Sequence, residues 1–204
     1  MLFNDSYRTL SEPAEGVFRD RGSKFIGYAF PVGSEEDVKD ILQKIRSEHP
    51  KARHFCWALR LSPDRSIFRF QDDGEPGGTA GRPILNAMLS ADITNVLIVV
   101  VRYFGGTLLG VPGLINAYKT AAIESIQAGN IIERTVNDIY EIHFEYLVLN
   151  EVMKLLKDEQ LLVLKQEFDN QCFIKLEIRK SCLNAVISKL ENIQGLALKY
   201  LYTA

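Results

Sequence analysis

The sequence has few of the residues that build a metal site or a disulfide framework. Its three cysteines, among 204 residues, are odd in number and widely spaced, and no Cys-x-x-Cys pair occurs. This usage argues against a disulfide scaffold and against a structural zinc site. The three histidines never stand four residues apart, the spacing that places two zinc ligands on one helix face. We therefore expect neither a zinc enzyme nor a bound cofactor.

Long apolar runs and an excess of positive charge are also absent. The longest apolar run, residues 96–101, is far too short to span a bilayer. The N-terminus does not place a basic segment before an apolar one, so we expect a cytoplasmic protein without membrane contact. The net charge is −2 and neither half is basic. Composition therefore does not indicate binding to nucleic-acid phosphates, although a local basic patch remains compatible with it.

Two glycine-rich loops, residues 71–81 and 102–113, are the most informative segments that are present. Each is predicted to leave a strand and to open a helix. Glycine permits positive φ and the close approach of a partner, and a helix N-terminus with free N–H groups suits an anion. Neither loop matches a P-loop or a Gly-x-Gly-x-x-Gly motif, so nucleotide binding by a known motif is not supported. The pair nevertheless predicts a binding site.

The predicted ligand-binding residues are polar and glycine positions of these two loops: Asp72, Asp73, Glu75, Thr79, Arg82, Arg102, Gly105, Gly106 and Gly113. The three carboxylates could hold a hard cation such as Mg²⁺. We favour the alternative, in which residues 73–74 form a turn, Glu75 is solvated and no metal is bound. Arg102 follows an apolar strand directly, so it either pairs with one of these carboxylates and clamps the loops, or holds a ligand.

Basic and aromatic residues on the predicted strands extend this surface. Four arginines are candidates for an anion-facing cluster, with the last favoured by its place at a loop–helix junction: Arg53, Arg60, Arg69 and Arg82. Four aromatic residues could form a base-stacking platform on one strand face: Phe55, Trp57, Phe68 and Phe70. Aromatic residues on one strand face more often pack against a helix, so we favour a place in the core for them.

Periodicity predicts an α+β chain of two domains, residues 1–136 and 137–204. The first part contains an extended segment with a turn at 20–23, a helix that Ser34 caps, a hairpin of 53–61 with 66–71, and a buried strand at 95–104. A helix begins at Thr79 or Gly81 with Pro83 in its first turn and an apolar face that includes Leu89. Another helix follows Gly113.

The second part alternates strand, helix, strand, strand, helix and strand. The predicted segments are 138–146, 148–159, 161–168, 172–179, 181–192 and 196–202, with a turn at residues 169–170 and Ser181 as a helix cap. This order is that of a ferredoxin-like βαββαβ domain. It contains neither a glycine-rich loop nor an acidic cluster, so the predicted site lies in the first domain.

The two loop sequences resemble the signature of the IMPACT family, in its bacterial YigZ-type branch. The segments that carry the resemblance are residues 72–81, residues 99–106 with 109–110 and 117–118, and upstream residues 22–25 and 52–54. The resemblance implies a first domain like the second domain of ribosomal protein S5 and a last domain like the final domain of elongation factor G. Pro112 and Asn116 stand where the family commonly has glycine and arginine, which weakens a simple phosphate-binding interpretation of the second loop.

The resemblance also implies a setting for function. Eukaryotic relatives regulate translation by competing for a protein that activates the amino-acid-starvation kinase. They carry a different module in place of this tail, so that partner does not transfer. We expect a translation-linked binding protein that contacts RNA or the ribosome through its loops. The alternatives are a metal-dependent enzyme acting on a phosphorylated small molecule, although no nucleophile or general base stands out, and a protein-docking module.

Overall fold

The computed structural model describes residues 5–169 and 171–204. The chain divides into two compact units, Tyr7–Arg134 and Thr135–Ala204, and the second also includes Asp5 and Ser6. Both combine helices with antiparallel sheets, which confirms the predicted α+β class. Within the described residues, no helix is long and apolar enough to cross a membrane. The Asn170 half of the predicted turn at 169–170 lies outside the described residues.

The first unit is built on a five-stranded sheet. The strands of the unit are β1 (Ser6–Leu10), β2 (Ala14–Asp20), β3 (Ser23–Pro31), β4 (His54–Leu61), β5 (Ile67–Gln71), β6 (Val96–Tyr103) and β7 (Ile131–Thr135), of which β2 to β6 form this sheet. Its helices are α1 (Glu36–Glu48), α2 (Gly81–Ala91) and α3 (Gly110–Ala128). The sheet has the order β2-β3-β6-β4-β5 with antiparallel neighbours, and β1 pairs with β7 separately. The β1–β7 pair was not predicted.

Strand β6 is central in the sheet and is buried on both faces, as the sequence predicts. Val96, Ile98 and Val100 belong to the core cluster that contains the apolar residues of α2 and α3. The alternate residues belong to a second cluster with Val38 and Ile45 of α1. Because side chains alternate along a strand, Arg102 continues the α2–α3 face at the end of β6.

Two helices of the first unit begin at other residues than predicted. Ser34 is not the cap of α1, which begins at Glu36. Instead the Asp37 carboxylate accepts hydrogen bonds from the backbone N–H groups of Gly33 and Ser34, both at 2.9 Å. These bonds lower the pKa of Asp37. Helix α3 begins at Gly110 rather than after Gly113, with Pro112 in its first turn.

The predicted apolar surfaces of α2 and of the hairpin need correction. Leu89 of α2 is 48% exposed rather than buried. On β5, Phe68 and Phe70 pair with Arg60 and Ala58, so they lie on the opposite sheet face from Phe55 and Trp57. They are 52% and 41% exposed, whereas Phe55 is buried at 4%. The expectation of one shared aromatic face packed in the core is therefore wrong for the two β5 residues.

The second unit has the predicted ferredoxin-like order. Its elements are β8 (Asn137–Glu145), a 3₁₀ turn (Tyr146–Val148), α4 (Leu149–Asp158), β9 (Leu162–Glu167), β10 (Gln171–Arg179), α5 (Leu183–Glu191) and β11 (Ala197–Thr203). The sheet order is β11-β8-β10-β9, so the first and third strands are central. Its helices cover one face through buried residues such as Val152, Leu156, Val186 and Leu190.

Asp5 is a buried anchor of this second unit. Its carboxylate accepts two hydrogen bonds from the Arg179 guanidinium and one from the Ser181 N–H, with distances of 2.8, 2.8 and 2.9 Å. The Arg179 hydrogen bond is the main reason that the pKa of Asp5 is held well below its usual range. Ser181 was predicted to cap α5, but the residue at the cap position is Cys182.

Candidate functional site

The two glycine-rich loops are joined by a buried ion pair. Glu75 Oε1 accepts hydrogen bonds from Arg102 Nη1 at 2.6 Å and from the Tyr118 hydroxyl at 2.8 Å. The side chains of Arg102 and Glu75 are only 7% and 4% exposed. The structure therefore shows the clamp that was one of the two interpretations of Arg102, and the expectation that Glu75 is solvated is wrong.

The groups around the clamp keep the Tyr118 hydroxyl protonated and enclose the Arg102 guanidinium. Burial raises the pKa of Tyr118, so the phenol stays protonated and acts as a donor to Glu75. The Arg102 guanidinium lies 5.5 Å from the ring centroids of both Phe25 and Phe104. Among the described residues, Arg102 Nε is shielded and has no hydrogen-bond partner. Arg102 thus retains a donor that the clamp does not use.

Asp72 occupies the helix N-terminus at which the sequence predicted an anion. Its Oδ1 accepts hydrogen bonds from the N–H groups of Ala80 at 3.0 Å and Gly81 at 2.8 Å, and its Oδ2 accepts one from Gly78 at 2.8 Å. The N–H groups of Ala80 and Gly81 stand at the start of α2, where the helix itself offers them no acceptor. The protein's own carboxylate therefore fills this position, and Asp72 stabilises the loop.

Asp73 ties the first loop to α1 and β4. Its Oδ2 accepts hydrogen bonds from Phe55 N at 2.8 Å and Arg46 Nη2 at 3.0 Å. Its backbone has φ of 42° and forms the predicted turn with Gly74. Asp72, Asp73 and Glu75 thus have separate partners, and no group of three metal-binding side chains gathers within residues 5–169 and 171–204.

Three further residues of the first loop and of the start of α2 differ in their surroundings. The Thr79 hydroxyl is buried and donates to the Pro76 carbonyl at 2.7 Å. Arg82 is exposed. Gly77 has open space around the position of a Cβ and needs no positive φ, so its backbone could be approached closely from solvent.

The three predicted glycines of the second loop are each explained by their close neighbours or by their backbone conformation. A Cβ on Gly105 would lie 1.9 Å from the backbone carbon of Gly22. Gly106 has φ of 86° in open space. Gly113 lies inside α3, where a Cβ would meet the Leu109 Cβ at 2.9 Å. The first and third glycines are therefore needed for packing, and Gly106 is needed for backbone conformation.

A cavity of about 340 Å³ lies beside the second loop, and we call it the basic pocket. Its lining combines four basic and two aromatic side chains, Lys51, Arg53, His54, Arg102, Tyr103 and Phe104. The antiparallel register pairs His54 with Arg102, which brings the start of β4 to the end of β6. No carboxylate is among these described lining residues. Within the described part of the chain, neither Lys51 nor Arg53 forms an ion pair.

One wall of the basic pocket is fixed by a chain of hydrogen bonds. The Tyr103 hydroxyl lies 2.8 Å from His49 Nδ1, and His49 Nε2 lies 2.8 Å from the Tyr28 hydroxyl. Burial raises the pKa of Tyr28 to about 12. His54 Nδ1 donates to the Asp73 carbonyl at 3.0 Å, which fixes the orientation of the ring.

The predicted arginine cluster forms only in part. Arg53 lines the basic pocket. Arg60 is buried and donates to the Ile93 carbonyl at 3.0 Å, and Arg69 lies 3.6 Å from Glu35 on the surface. Sequence reasoning did not include Lys51 or Phe104 among the binding candidates. In the sequence, the nearest indication of Lys51 was the motif at residues 52–54, which we interpreted only as part of the family resemblance.

Comparisons with known proteins agree with the resemblance. The family profile described as the Impact N-terminal domain matches residues 21–126, a range that includes both loops and the basic pocket. The chain is 37% identical to an IMPACT family member of Haemophilus influenzae over 173 residues, 82% of each chain. It is 31% identical to the IMPACT family member YigZ of Escherichia coli over 176 residues, 85% of each chain. A solved structure described as a hypothetical protein has a TM-score of 0.71 and 27% identity, with 97% of this chain and 98% of that chain covered. The chain belongs to the IMPACT family.

Proposed function

We propose that this protein is a translation-linked regulator that binds RNA, on or off the ribosome, at the basic pocket. The observation that carries the proposal is the convergence of Lys51, Arg53, His54 and Arg102 on one cavity without a carboxylate among the described lining residues. Lys51 and Arg53 form no ion pair within the described residues, and cations of this kind in a concave surface concentrate positive potential where a phosphate group can reach it. Phosphates of RNA fit this potential.

The charge of the rest of the chain makes the basic pocket stand out. The net charge is −2, so most of the surface does not attract a polyanion. Lys51 and Arg53 are exposed and form no ion pair within the described residues, so they need not break a contact to meet a phosphate. Binding that depends on a few such cations should weaken as salt rises, because RNA releases counterions when it binds them.

In this proposal the glycine-rich loops frame the basic pocket, and they do not grip the phosphate themselves. Asp72 already fills the N-terminus of α2. The Glu75–Arg102 pair holds the first loop against the end of β6, next to Tyr103 and Phe104 of the pocket wall. On these loops, the space beside the Cα atoms of Gly77 and Gly106 is open. The sequence predicted phosphate contacts from the glycine-rich loops and nearby arginines, and this proposal keeps only the contacts from basic side chains.

The translation setting comes from the family. The resemblance associates the eukaryotic relatives with the regulation of translation, and an RNA-binding pocket suits a protein that acts in that process. A metal-dependent reaction is less favoured, because Asp72, Asp73 and Glu75 each accept hydrogen bonds from separate protein groups. Releasing any of them to a cation would cost the contacts that hold the loops.

Protein docking is a second candidate function, favoured by one observation. Val111 and Ile115 stand four residues apart on α3 and are 53% and 39% exposed, and Leu108, which precedes the helix, is 81% exposed. Exposed apolar residues that share a surface often mark an interaction site. A partner recovered from nuclease-treated lysate by the wild type, and lost with Leu108→Ser, would support docking.

Co-sedimentation with ribosomes on sucrose gradients tests the main proposal. We expect the wild-type protein to travel with ribosomes at low salt and to be released at high salt. Lys51→Gln with Arg53→Gln should remain at the top of the gradient. The matched control removes two exposed charges from α1, Lys39→Gln with Lys44→Gln, and should behave as the wild type. Wild-type protein left at the top at low salt, or equal loss in both double variants, would contradict the proposal.

A further inference from the structure

Phe104 is an exposed aromatic residue with one supported face. The residue is 57% exposed, more than Phe68 or Phe70. Its ring nevertheless lies 5.5 Å from the Arg102 guanidinium, which in turn lies 5.5 Å from Phe25. The cation thus covers one face of the ring, and the ring lines the basic pocket. Such a ring offers a platform on which another planar group can stack.

The backbone next to Phe104 is fixed before any ligand arrives. The N–H of Gly105 donates to Ser23 Oγ at 3.1 Å. The backbone of Gly105 packs so closely on Gly22 that a Cβ there would lie 1.9 Å from its carbonyl carbon. The residue before Phe104, Tyr103, is hydrogen-bonded to His49. A platform held from both sides loses little freedom when a partner stacks on it.

The basic pocket brings this ring and the basic side chains together in a cavity of the size of one small molecule. Its volume of about 340 Å³ is at the lower end of ligand pockets, which span roughly 300–1,000 Å³. One part of the lining is cationic, and another is formed by Tyr103 and Phe104. A nucleotide carries a phosphate and an aromatic base in one unit. A duplex presents phosphates but keeps its base faces stacked inside.

Arg102 also lines this cavity and has an unused N–H group. It lines the basic pocket, its side chain is 7% exposed, and its Nε has no partner among the described residues. A shielded N–H group without a partner is costly unless an acceptor reaches it. Base carbonyl oxygens and phosphate oxygens are both suitable acceptors.

From these contacts we infer that the basic pocket takes an unpaired nucleotide of single-stranded RNA, with the base stacked on Phe104 and the phosphate near Lys51 and Arg53. The inference rests on the proposed function and specifies its ligand as single-stranded RNA in preference to duplex. It also differs from the base-stacking platform that the sequence offered as the less favoured alternative, since Phe68 and Phe70 lie on the edge strand β5 outside the pocket.

Fluorescence anisotropy with a labelled RNA of about ten nucleotides tests this inference, a length within the range that single-strand binding sites occupy. The same sequence is measured as a single strand and as a duplex with its complement. Phe104→Leu should weaken single-strand binding about 5- to 150-fold, because stacking on an aromatic side chain contributes about 1–3 kcal/mol per base. Phe68→Leu is the matched control, an exposed phenylalanine outside the pocket, and should bind as the wild type.

The outcomes separate this inference from the proposed function. Tighter binding of the single strand, lost with Phe104→Leu and kept with Phe68→Leu, supports both. Equal binding of both RNA forms, unaffected by Phe104→Leu but lost with Lys51→Gln and Arg53→Gln, overturns the stacking inference and leaves the phosphate-binding proposal intact. Absence of binding to either RNA form overturns the inference and counts against the proposed function as well.

Discussion

Glu75→Gln is the change that examines the buried clamp most sharply. The substitution keeps the size of the side chain and an oxygen acceptor for Tyr118, but it removes the negative charge. Arg102, only 7% exposed, is then left with a buried charge for which no other ion pair is found within the described residues. Breaking a buried pair from one side costs about 3–5 kcal/mol, and we expect about 3 kcal/mol because the amide still accepts a hydrogen bond.

The assay can follow the first unit alone. The chain has one tryptophan, Trp57 on β4, so tryptophan fluorescence reports unfolding of the unit that contains the clamp. At about 2–4 °C per kcal/mol for a chain of this size, the midpoint of thermal unfolding should fall by about 6–12 °C. Glu12→Gln, an exposed residue of the same type, is the control and should change stability by less than about 0.5 kcal/mol.

A double-mutant cycle gives the result that would refute the reasoning. Arg102→Met alone leaves Glu75 as a buried carboxylate without its ion-pair partner, whereas Glu75→Gln with Arg102→Met removes both charges. The double variant should therefore be more stable than the sum of the two single effects predicts, by about 1–3 kcal/mol. A double variant that costs the full sum, or a Glu75→Gln variant within about 0.5 kcal/mol of the wild type, would show that the clamp does not hold the loops together.

Three further predictions follow from other contacts. Asp5→Asn should destabilise the second unit by about 1–2 kcal/mol at neutral pH, a value discounted because Arg179 is half-exposed. Because the pKa of Asp5 is lowered on folding, this difference in stability should be complete above the unfolded pKa of about 3.9 and should disappear as the pH falls through the folded pKa. Urea titrations at several pH values measure it. Gly105→Ala should prevent correct packing of the second loop and lower the thermal midpoint strongly, whereas Gly77→Ala, with open space around it, should leave the midpoint nearly unchanged. Of the three thiols, only that of Cys182 is exposed, so a thiol reagent should label one site in the native protein and three after denaturation.

The sequence predicts the elements of this fold better than the contacts between them. The buried strand β6 was predictable because residues 96–101 are apolar without interruption and lie on both faces of the sheet. The start of α3 was placed too late, because Gly110, Pro112 and Gly113 are typical of a loop, although proline is also favoured in a first helical turn. The β1–β7 pair was missed because short strands far apart in the chain leave no local pattern.

The candidate site shows the same limit at the level of single residues. The sequence indicates that Arg102 needs a partner, but three carboxylates of the first loop were equally suitable. Only the fold shows that Arg102 and Tyr118 of α3 both donate hydrogen bonds to Glu75, while Asp73 accepts one from Arg46. Phe104 could not be distinguished from other aromatic residues, because its exposure depends on how the end of β6 packs. The assignment of the predicted loop residues to a ligand stays a prediction, as do the S5-like and elongation-factor-like names of the two domains.

The measurement that tests the central claim most directly is the salt dependence of single-stranded RNA binding. Each phosphate contact on a single strand contributes about 0.7 to the slope of log affinity against log salt concentration. If Lys51 and Arg53 each contact a phosphate, their double substitution with glutamine should reduce the slope by about 1.4, while Lys39→Gln with Lys44→Gln leaves it unchanged. An unchanged slope in the pocket variant, with folding intact by Trp57 fluorescence, would contradict the account.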